Sequence, residues 1–546
     1  MLDYPPIEGA TEYLIQVSED SAGKNFTHPI LQQRDSSTAT LIGGLKFGHN
    51  YSWRYAGSSK PKGSWQGPFL FKICPDSITQ TDKYNINILS NTYPDKGLII
   101  SDCPHVVFDR QGAIVWAMPQ TEFLGPKLGV REMRLTPAGT ITFITDQGAN
   151  CDAIEINLQG KLLFKAPDDG KVSGDSTEYY HHDFKRLVNG NYMVLSKTFK
   201  WLAVPEAYKA KYENNKADTK LMNDTLYARI EFGTIIEYTP AGKVAWQWNS
   251  ETYLSGADIF AVPNQTEART PEKRLPGDTL PPKTNSDAHI NAFSADDAGE
   301  YVYAGFRNIS RVIKIEKKTG RVVYSWGAKT TEAEAMDGNN FFCTQHDAQI
   351  LPNGNVAVFN NNNYAAGATP QAVVFTQPTA TSKSKIDFSF TCDFDTTTPN
   401  KSIRGGNVDQ LPNQHYFICM GNANKMVEVS PEKKIIWSAA VERKSRVKGE
   451  RLQAPLYRAH FVSSLYPCYF TIQLTGDKTN EPALKIVNEG TETDSYVIDT
   501  GSGLKNEIRT AKVAPGQSVT VKLAVRAIKP IVTSVTNPAF SRSIKR

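Results

Sequence analysis

Much is missing from these 546 residues, and each absence removes a class of function. No run approaches the roughly 18 apolar residues that span a bilayer, so no transmembrane segment is expected. The opening MLDYPPIEGA has neither a basic n-region nor an apolar h-region, and no signal peptide is read there. Lys and Arg number 61 against 56 Asp and Glu, a net charge of +5, with no basic run of five. That balance removes nucleic acid as a partner and leaves a mild preference for anions. The seven cysteines are odd in number and form no CxxC, so a thiolate zinc site is not expected and a disulfide pattern cannot be read. No GxSxG occurs, and no Gly-rich loop stands between a strand and a helix to cradle a phosphate.

What is present is a core-forming composition, 40% hydrophobic and 21% charged, organised as a repeat. "REMRLTPAGTITFITD" begins at Arg131, "HDFKRLVNGNYMVLSK" at His182, "HINAFSADDAGEYVYAGFRN" at His289, "HDAQILPNGNVAVFNN" at His346, "NVDQLPNQHYFICMGN" at Asn407 and "HFVSSLYPCYFTIQ" at His460. Successive starts lie 51, 107, 57, 61 and 53 residues apart, and long insertions account for the 107. Each unit continues into a second strand pair in which a Trp is frequent, as in "GTIIEYTPAGKVAWQWN" and "SRVIKIEKKTGRVVYSWG". Four short strands per unit, six times, predict an all-β chain built on a six-bladed β-propeller. Strands within 98–120 lack an opening strand, and 458–465 has one without a blade. Joining the two closes the ring and removes two sheet edges. Residues 76–470 are therefore read as the propeller. Residues 1–75 resemble a fibronectin type III module, and 471–546 are read as a small β-sandwich segment.

In such a blade the first strand lines the channel, so His182, His289, His346 and His460 ring one mouth, completed by Arg131 and Asn407. Arg307, in "AGFRN", returns to that mouth beside His289, and "FNNNN" brings Asn360 and its followers beside His346. The long insertions at 200–231 and 251–288 emerge on the same face, where propellers carry function. By strand alternation His181, Asp183 and Asp347 point away from the mouth. A lone histidine at a strand start is usually a core residue; four of nine at one register point to a site. Neutral imidazoles and a guanidinium around one opening suit an anion. Paired carboxylates at the register are absent, which argues against glycoside hydrolysis. The Cys-x-Pro-x-Arg pattern of type I sulfatases is absent too.

The stretches "QHDAQILPNGNVAVFNNN", "HHDFKRLVNGNYMVLS" and "HINAFSADDAGEYVYAGFRNISRVIKI" resemble the bacterial arylsulfate sulfotransferases that do not use PAPS. The resemblance covers about residues 95–465. It implies a six-bladed propeller that moves a sulfuryl group from a phenolic sulfate to a phenol through a sulfohistidine, with no metal and no cofactor. It implies His346 as nucleophile, with His182, His289 and Arg307 on the sulfuryl oxygens. Asn360, Arg131, Asn407 and His460 are the expected substrate-binding positions around them. A periplasmic or secreted location is implied, and a homodimer is left open. Two other readings compete. One is a metal-dependent lyase or hydrolase using the histidine ring; the other is a non-catalytic ligand-binding propeller.

Overall fold

A computed structural model describes residues 2–543, except 6, 8–9, 11, 21, 24, 36–38, 58–63, 76–82, 93–96, 122, 125–128, 147–150, 213–218, 261–286, 328–336, 340, 363–368, 393–401, 403, 446, 448–450, 455, 478–480, 501–506 and 524–529. The fold is all-β; the α-helices among the described residues are the short segments Lys209–Tyr212 and Gly256–Phe260. No helix among the described residues is long and apolar enough to cross a membrane.

Between Tyr84 and Val462 the strands among the described residues form six antiparallel-based sheets. The first joins Leu98–Ser101, Val106–Asp109 and Ile114–Ala117 to Ala459–Val462, so the expected pairing of 98–120 with 458–465 is present, with His460 opposite Ile100. The second runs from Gly129–Leu135 to Leu162–Lys165, the third from Phe184–Arg186 to Val244–Asn249, and the fourth from Ile290–Ala295 to Val322–Gly327. The fifth runs from His346–Ile350 to Ile386–Thr391, and the sixth from Asn407–Gln410 to Ile435–Lys444. The sixth also gains Tyr84–Asn91, a strand that escaped notice in the sequence because it lies outside the repeat. The insertion near 200–231 extends the third sheet: Tyr192–Ala203 pairs along its whole length with Thr225–Tyr238. Of the other insertion, 261–286 lie outside the described residues.

The local chemistry explains the repetition. Val, Ile, Phe and Tyr fill the middle strands, which are buried on both faces, as in Val356–Asn360 and Lys425–Val429. The Leu351–Gly354 turn closes with the Gly354 N–H donating to the Leu351 carbonyl at 2.9 Å, and Gly354 takes φ 84° there. The recurrent Trp is a bolt between sheets. Trp116 Nε1 donates to the Leu158 carbonyl (2.8 Å), Trp248 Nε1 to Gly320 (3.0 Å), Trp326 Nε1 to Ser384 Oγ (2.8 Å) and Trp437 Nε1 to Arg110 (2.9 Å). The last of these ties the sixth sheet to the first.

Outside the six sheets, Tyr13–Ser18, Leu31–Asp35, Asn50–Gly57 and Gln66–Lys72 make one antiparallel sheet around Tyr13, Ile15, Tyr51 and Trp53. The chain beyond Tyr469 forms two further sheets, one of which begins at Phe470. The chain ends meet: Arg542 Nη2 lies 3.0 Å from Asp3 Oδ2, and the Tyr469 hydroxyl donates to Asp3 Oδ1 at 3.1 Å.

Candidate active site

The first strands are not regular. Glu132, His182, His289 and Asp347 all have φ between 53° and 58°. The pairing register slips between Arg131 and Arg134, between Ile290 and Ala292, and between His346 and Gln349. Left-handed conformations at non-glycine residues cost energy and gather where side chains are being aimed. Here they end the two-residue alternation, and neighbouring side chains turn to the same interior.

His346 opens its strand with 2% of its surface exposed. Its Nδ1 lies 2.7 Å from Asn361 Oδ1. Burial holds its pKa well below the usual imidazole range, and the charge of Arg307 pushes the same way, outweighing the bond to Asn361. Arg307 arrives as expected: its N–H donates to the His289 carbonyl at 2.9 Å. Its Nη1 donates to Asn308 Oδ1 (3.2 Å), and Asn308 Nδ2 in turn donates to Asp287 Oδ1 (2.7 Å), so the guanidinium is held from behind.

His182 and His289 meet edge-on, ring centroids 4.8 Å apart. His181 was expected on the opposite face. Instead its Nδ1 lies 2.6 Å from His182 Nδ1, while its Nε2 lies 3.1 Å from the Ser196 carbonyl oxygen. Neither histidine belongs to a regular strand, and the φ of 58° at His182 turns the chain between them. A carbonyl only accepts, so His181 carries a proton on Nε2 and, when neutral, accepts at Nδ1 from His182. Tyr457, unnoticed in the sequence, joins the group. Its ring centroid is 5.8 Å from that of His346 and 6.1 Å from that of His182, and the Arg131 guanidinium lies 5.9 Å from it. Burial pushes its hydroxyl up to about 12, so it stays a donor.

Beneath this group lies a buried ion network that one arginine organises. Arg458 Nη1 is 2.6 Å from Glu132 Oε2, 3.4 Å from Asp347 Oδ1 and 3.6 Å from Asp183 Oδ1, and its Nη2 donates to the Asn291 carbonyl at 3.2 Å. Those partners belong to the second, fifth, third and fourth sheets. Asp102, at the end of the first sheet's Leu98–Ser101, accepts from the N–H groups of Tyr457 (3.0 Å) and Arg458 (2.9 Å), and burial pushes its carboxyl up to about 7. Arg134 Nη2 lies 3.1 Å from Asp347 Oδ1, and Lys185 Nζ 3.2 Å from Asp183 Oδ2. Asp183 and Asp347, expected to point away, thus reach the interior through the irregular strands. His460 Nδ1 is 2.9 Å from Asp409 Oδ2. Asn407 Nδ2 is 3.2 Å from Asp409 Oδ2, and its Oδ1 accepts from the Ala459 N–H at 3.3 Å. The two expected substrate positions Asn407 and His460 are therefore engaged in this network. Asn360 is engaged as well: its Oδ1 accepts from the N–H of Cys343 (2.9 Å) and of Asn362 (3.1 Å), and its neighbour Asn361 is the one that reaches His346.

The arrangement offers imidazole nitrogens and a guanidinium around a buried neutral histidine, a set suited to an anionic tetrahedral group. The family described as Arylsulfotransferase (ASST) matches residues 101–445, a stretch that contains His182, His289, Arg307 and His346. The chain belongs to the arylsulfotransferase family. It is accordingly a sulfotransferase of aryl sulfates, with a phenolic sulfate as donor and a phenol as acceptor. Comparison with curated proteins gives no match. Among solved structures, a streptogramin B lyase is 13% identical, covering 67% of this chain and 88% of its own, at a TM-score of 0.32. The periplasmic gluconolactonase PpgL of Pseudomonas aeruginosa is 10% identical, covering 83% and 99%, at 0.28. A putative 6-phosphogluconolactonase of Bacteroides fragilis is also 10% identical, covering 84% and 100%, at 0.29. Likenesses this distant carry nothing about the activity of an arylsulfotransferase.

Proposed function

We propose that this arylsulfotransferase works without PAPS, by a ping-pong route in which His346 carries the sulfuryl group. The six sheets are read as the blades of one propeller spanning residues 76–470, flanked by a fibronectin III-like module at 1–75 and a β-sandwich segment at 471–546. The observation that carries the mechanism is the state of His346: buried, neutral and next to a guanidinium. A neutral imidazole is a nucleophile; a protonated one is not.

In the first half-reaction a His346 nitrogen attacks sulfur and the bond to the aryl oxygen breaks, releasing phenolate. Arg307, His289 and His182 in its protonated form take up charge on the sulfuryl and leaving oxygens, each contributing about 2.7–4 kcal/mol if it acts as an oxyanion-hole donor does, and His182 passes its proton to the departing phenolate. In the second half-reaction a phenol oxygen attacks the same sulfur and the electron pair returns to His346. His182, backed by His181, takes the phenol proton. Arg131 and Tyr457 are assigned to the aryl portion of donor and acceptor. Asn360, Asn407 and His460 are assigned to support rather than to substrate contact. The metal-dependent reading is disfavoured because Arg307 beside the ring repels a cation. The location is read as periplasmic or secreted.

The test is incubation with an aryl sulfate that releases a coloured phenol, with and without an acceptor phenol. Donor alone should give a burst of one phenol per chain and a sulfonate on the peptide containing His346, seen by mass spectrometry under non-acidic handling. An adduct on His182 or His289 would move the assignment. Steady donor consumption with no adduct would sink the covalent route.

A further inference from the structure

We propose that Asn361 is a positioning residue that fixes the tautomer of His346, keeping its proton on Nδ1 and its lone pair on Nε2. The inference rests on the reading of His346 as nucleophile and adds which nitrogen takes the sulfur and what makes it so.

The argument is one of hydrogen-bond polarity. Asn361 is buried, with 2% of its surface exposed. Its Nδ2 donates to two backbone carbonyl oxygens, Ser402 at 2.8 Å and Gly405 at 3.0 Å. A carbonyl has no proton to give, so both amide protons are spent there. Turning the amide over would set Oδ1 against two carbonyl oxygens in a site closed to water, which costs the desolvation of every group left unmatched. Asn361 Oδ1 is therefore the atom that faces His346, at 2.7 Å from Nδ1. An amide oxygen only accepts, so Nδ1 carries the proton. Burial and Arg307 hold the ring neutral. A neutral imidazole has a single N–H, which leaves Nε2 bare. The free side chain in water favours the opposite tautomer, so the lock reverses the intrinsic preference.

The same contact serves the transfer. As the Nε2 lone pair bonds to sulfur and the sulfur–oxygen bond breaks, the phenolate leaves with the electron pair. The ring then bears a formal positive charge opposite the negative sulfonate, and Nδ1–H becomes a stronger donor to Asn361 Oδ1. On return the nitrogen–sulfur pair goes back to Nε2 and the acceptor's proton goes to His182, so Nδ1 keeps its own proton throughout. Because the partner is an uncharged amide, it steadies this charge less than a carboxylate would and leaves the sulfohistidine reactive. The signal in the sequence was the second asparagine of "FNNNN", indistinguishable there from its neighbours.

Two measurements test this. The first is the nitrogen-15 spectrum of histidine-labelled whole protein, with the His346 signal identified by its loss in His346→Gln. The expected pattern is a protonated Nδ1 and a bare Nε2; a protonated Nε2 overturns the proposal whatever the catalytic role of His346. The second compares Asn361→Ala with Asn361→Asp, each shown to be folded by its melting curve. In Asn361→Ala the burst of phenol from donor alone should slow by about 100-fold, with the donor KM changed by less than about threefold, as expected when a ring is held in the wrong tautomer. Asn361→Asp keeps an acceptor opposite Nδ1 and should retain the Nδ1–H signal, but its carboxylate favours the protonated ring, so its burst rate should fall as pH is lowered, unlike the flat wild-type rate. An alanine variant with unchanged burst and unchanged signal, or an aspartate variant that loses the Nδ1–H signal, overturns it. A wild-type protein that shows the Nδ1–H pattern but forms no adduct supports the tautomer lock and sinks the nucleophile reading instead.

Discussion

His346 and His460 stand at the starts of equivalent strands of the fifth and first sheets, both nearly without solvent exposure, yet their surroundings shift their pKa values in opposite directions. Around His346 stand an amide, the arginines Arg307 and Arg458, and His289, and its pKa is pressed down. Around His460 burial and Arg134 press the pKa down, but the carboxylates of Asp409 and Glu132 outweigh them and leave it raised. Register alone therefore does not define a catalytic histidine. The sign of the nearest charges does: a neutral imidazole beside a cation is available to attack, and an imidazolium clasped by carboxylates is a structural cation.

The sharpest way to break this comparison is to remove each ring in turn. His346→Ala should lower phenol release by about 10⁴-fold or more, the scale on which removal of a nucleophile is felt. His460→Gln should keep turnover within about tenfold of wild type, because a support can be replaced in part. Equal losses in a coloured-phenol assay would mean that the two rings share one task. Next in size is Arg307→Lys, which keeps the charge but loses the planar fork. Turnover should fall by about 10²–10³-fold, with a smaller change in donor affinity, the range for one lost oxyanion donor. Unchanged kinetics would show that this guanidinium does not reach the sulfuryl group.

The smallest effects are in pH. The pKa of His460 is raised in the folded chain, so its contribution to stability is full below the unfolded value of about 6.5 and fades as pH rises through the folded value. Chemical denaturation should then show His460→Gln destabilised by about 3 kcal/mol near pH 6, as when a buried ion pair loses one partner, and by less near pH 9. A deficit that grows with pH would reverse the assigned charge. His346 has the opposite sign: the unfolded chain takes up a proton near pH 6.5 that the folded ring refuses, so its environment costs stability as pH falls. The burst rate from donor alone should accordingly stay flat as pH is lowered through about 6.5, and an inflection there would place His346 in ordinary solvent.

The sequence made some of this legible and hid the rest for physical reasons. First strands near all six expected starts, the joining of 98–120 to 458–465 and the approach of Arg307 to His289 follow from period-two strands and turn residues, and the structure has them, although of the six expected residues His346 and Asn407 are the ones that open their strands. Alternation misled at His181, Asp183 and Asp347, because it holds only in regular strands and these lie at left-handed residues and register slips. Arg458 and Tyr457 carry no local signal of their role in the sequence, since a hub is defined by partners far away along the chain. Asn361 could not be told from Asn360, because which of two adjacent amides meets a ring depends on where Ser402 and Gly405 come to lie.

The closing strand Ala459–Val462 has a consequence in time as well as in space. A chain still being synthesised, and stopping at residue 456, already holds His182, His289, Arg307 and His346, but it lacks the fourth strand of its first sheet, the tyrosine between the rings and the arginine that neutralises Glu132, Asp183 and Asp347. Without it those carboxylates keep only Arg134 and Lys185, and bringing them together costs more. Pairing Leu98–Ser101 with a partner some 360 residues later is a contact of very long range, the kind that forms late and slowly. The reactive centre is thus withheld until residues 457–462 have been made, and a shorter nascent fragment has every residue needed for the chemistry except the ones that let them meet.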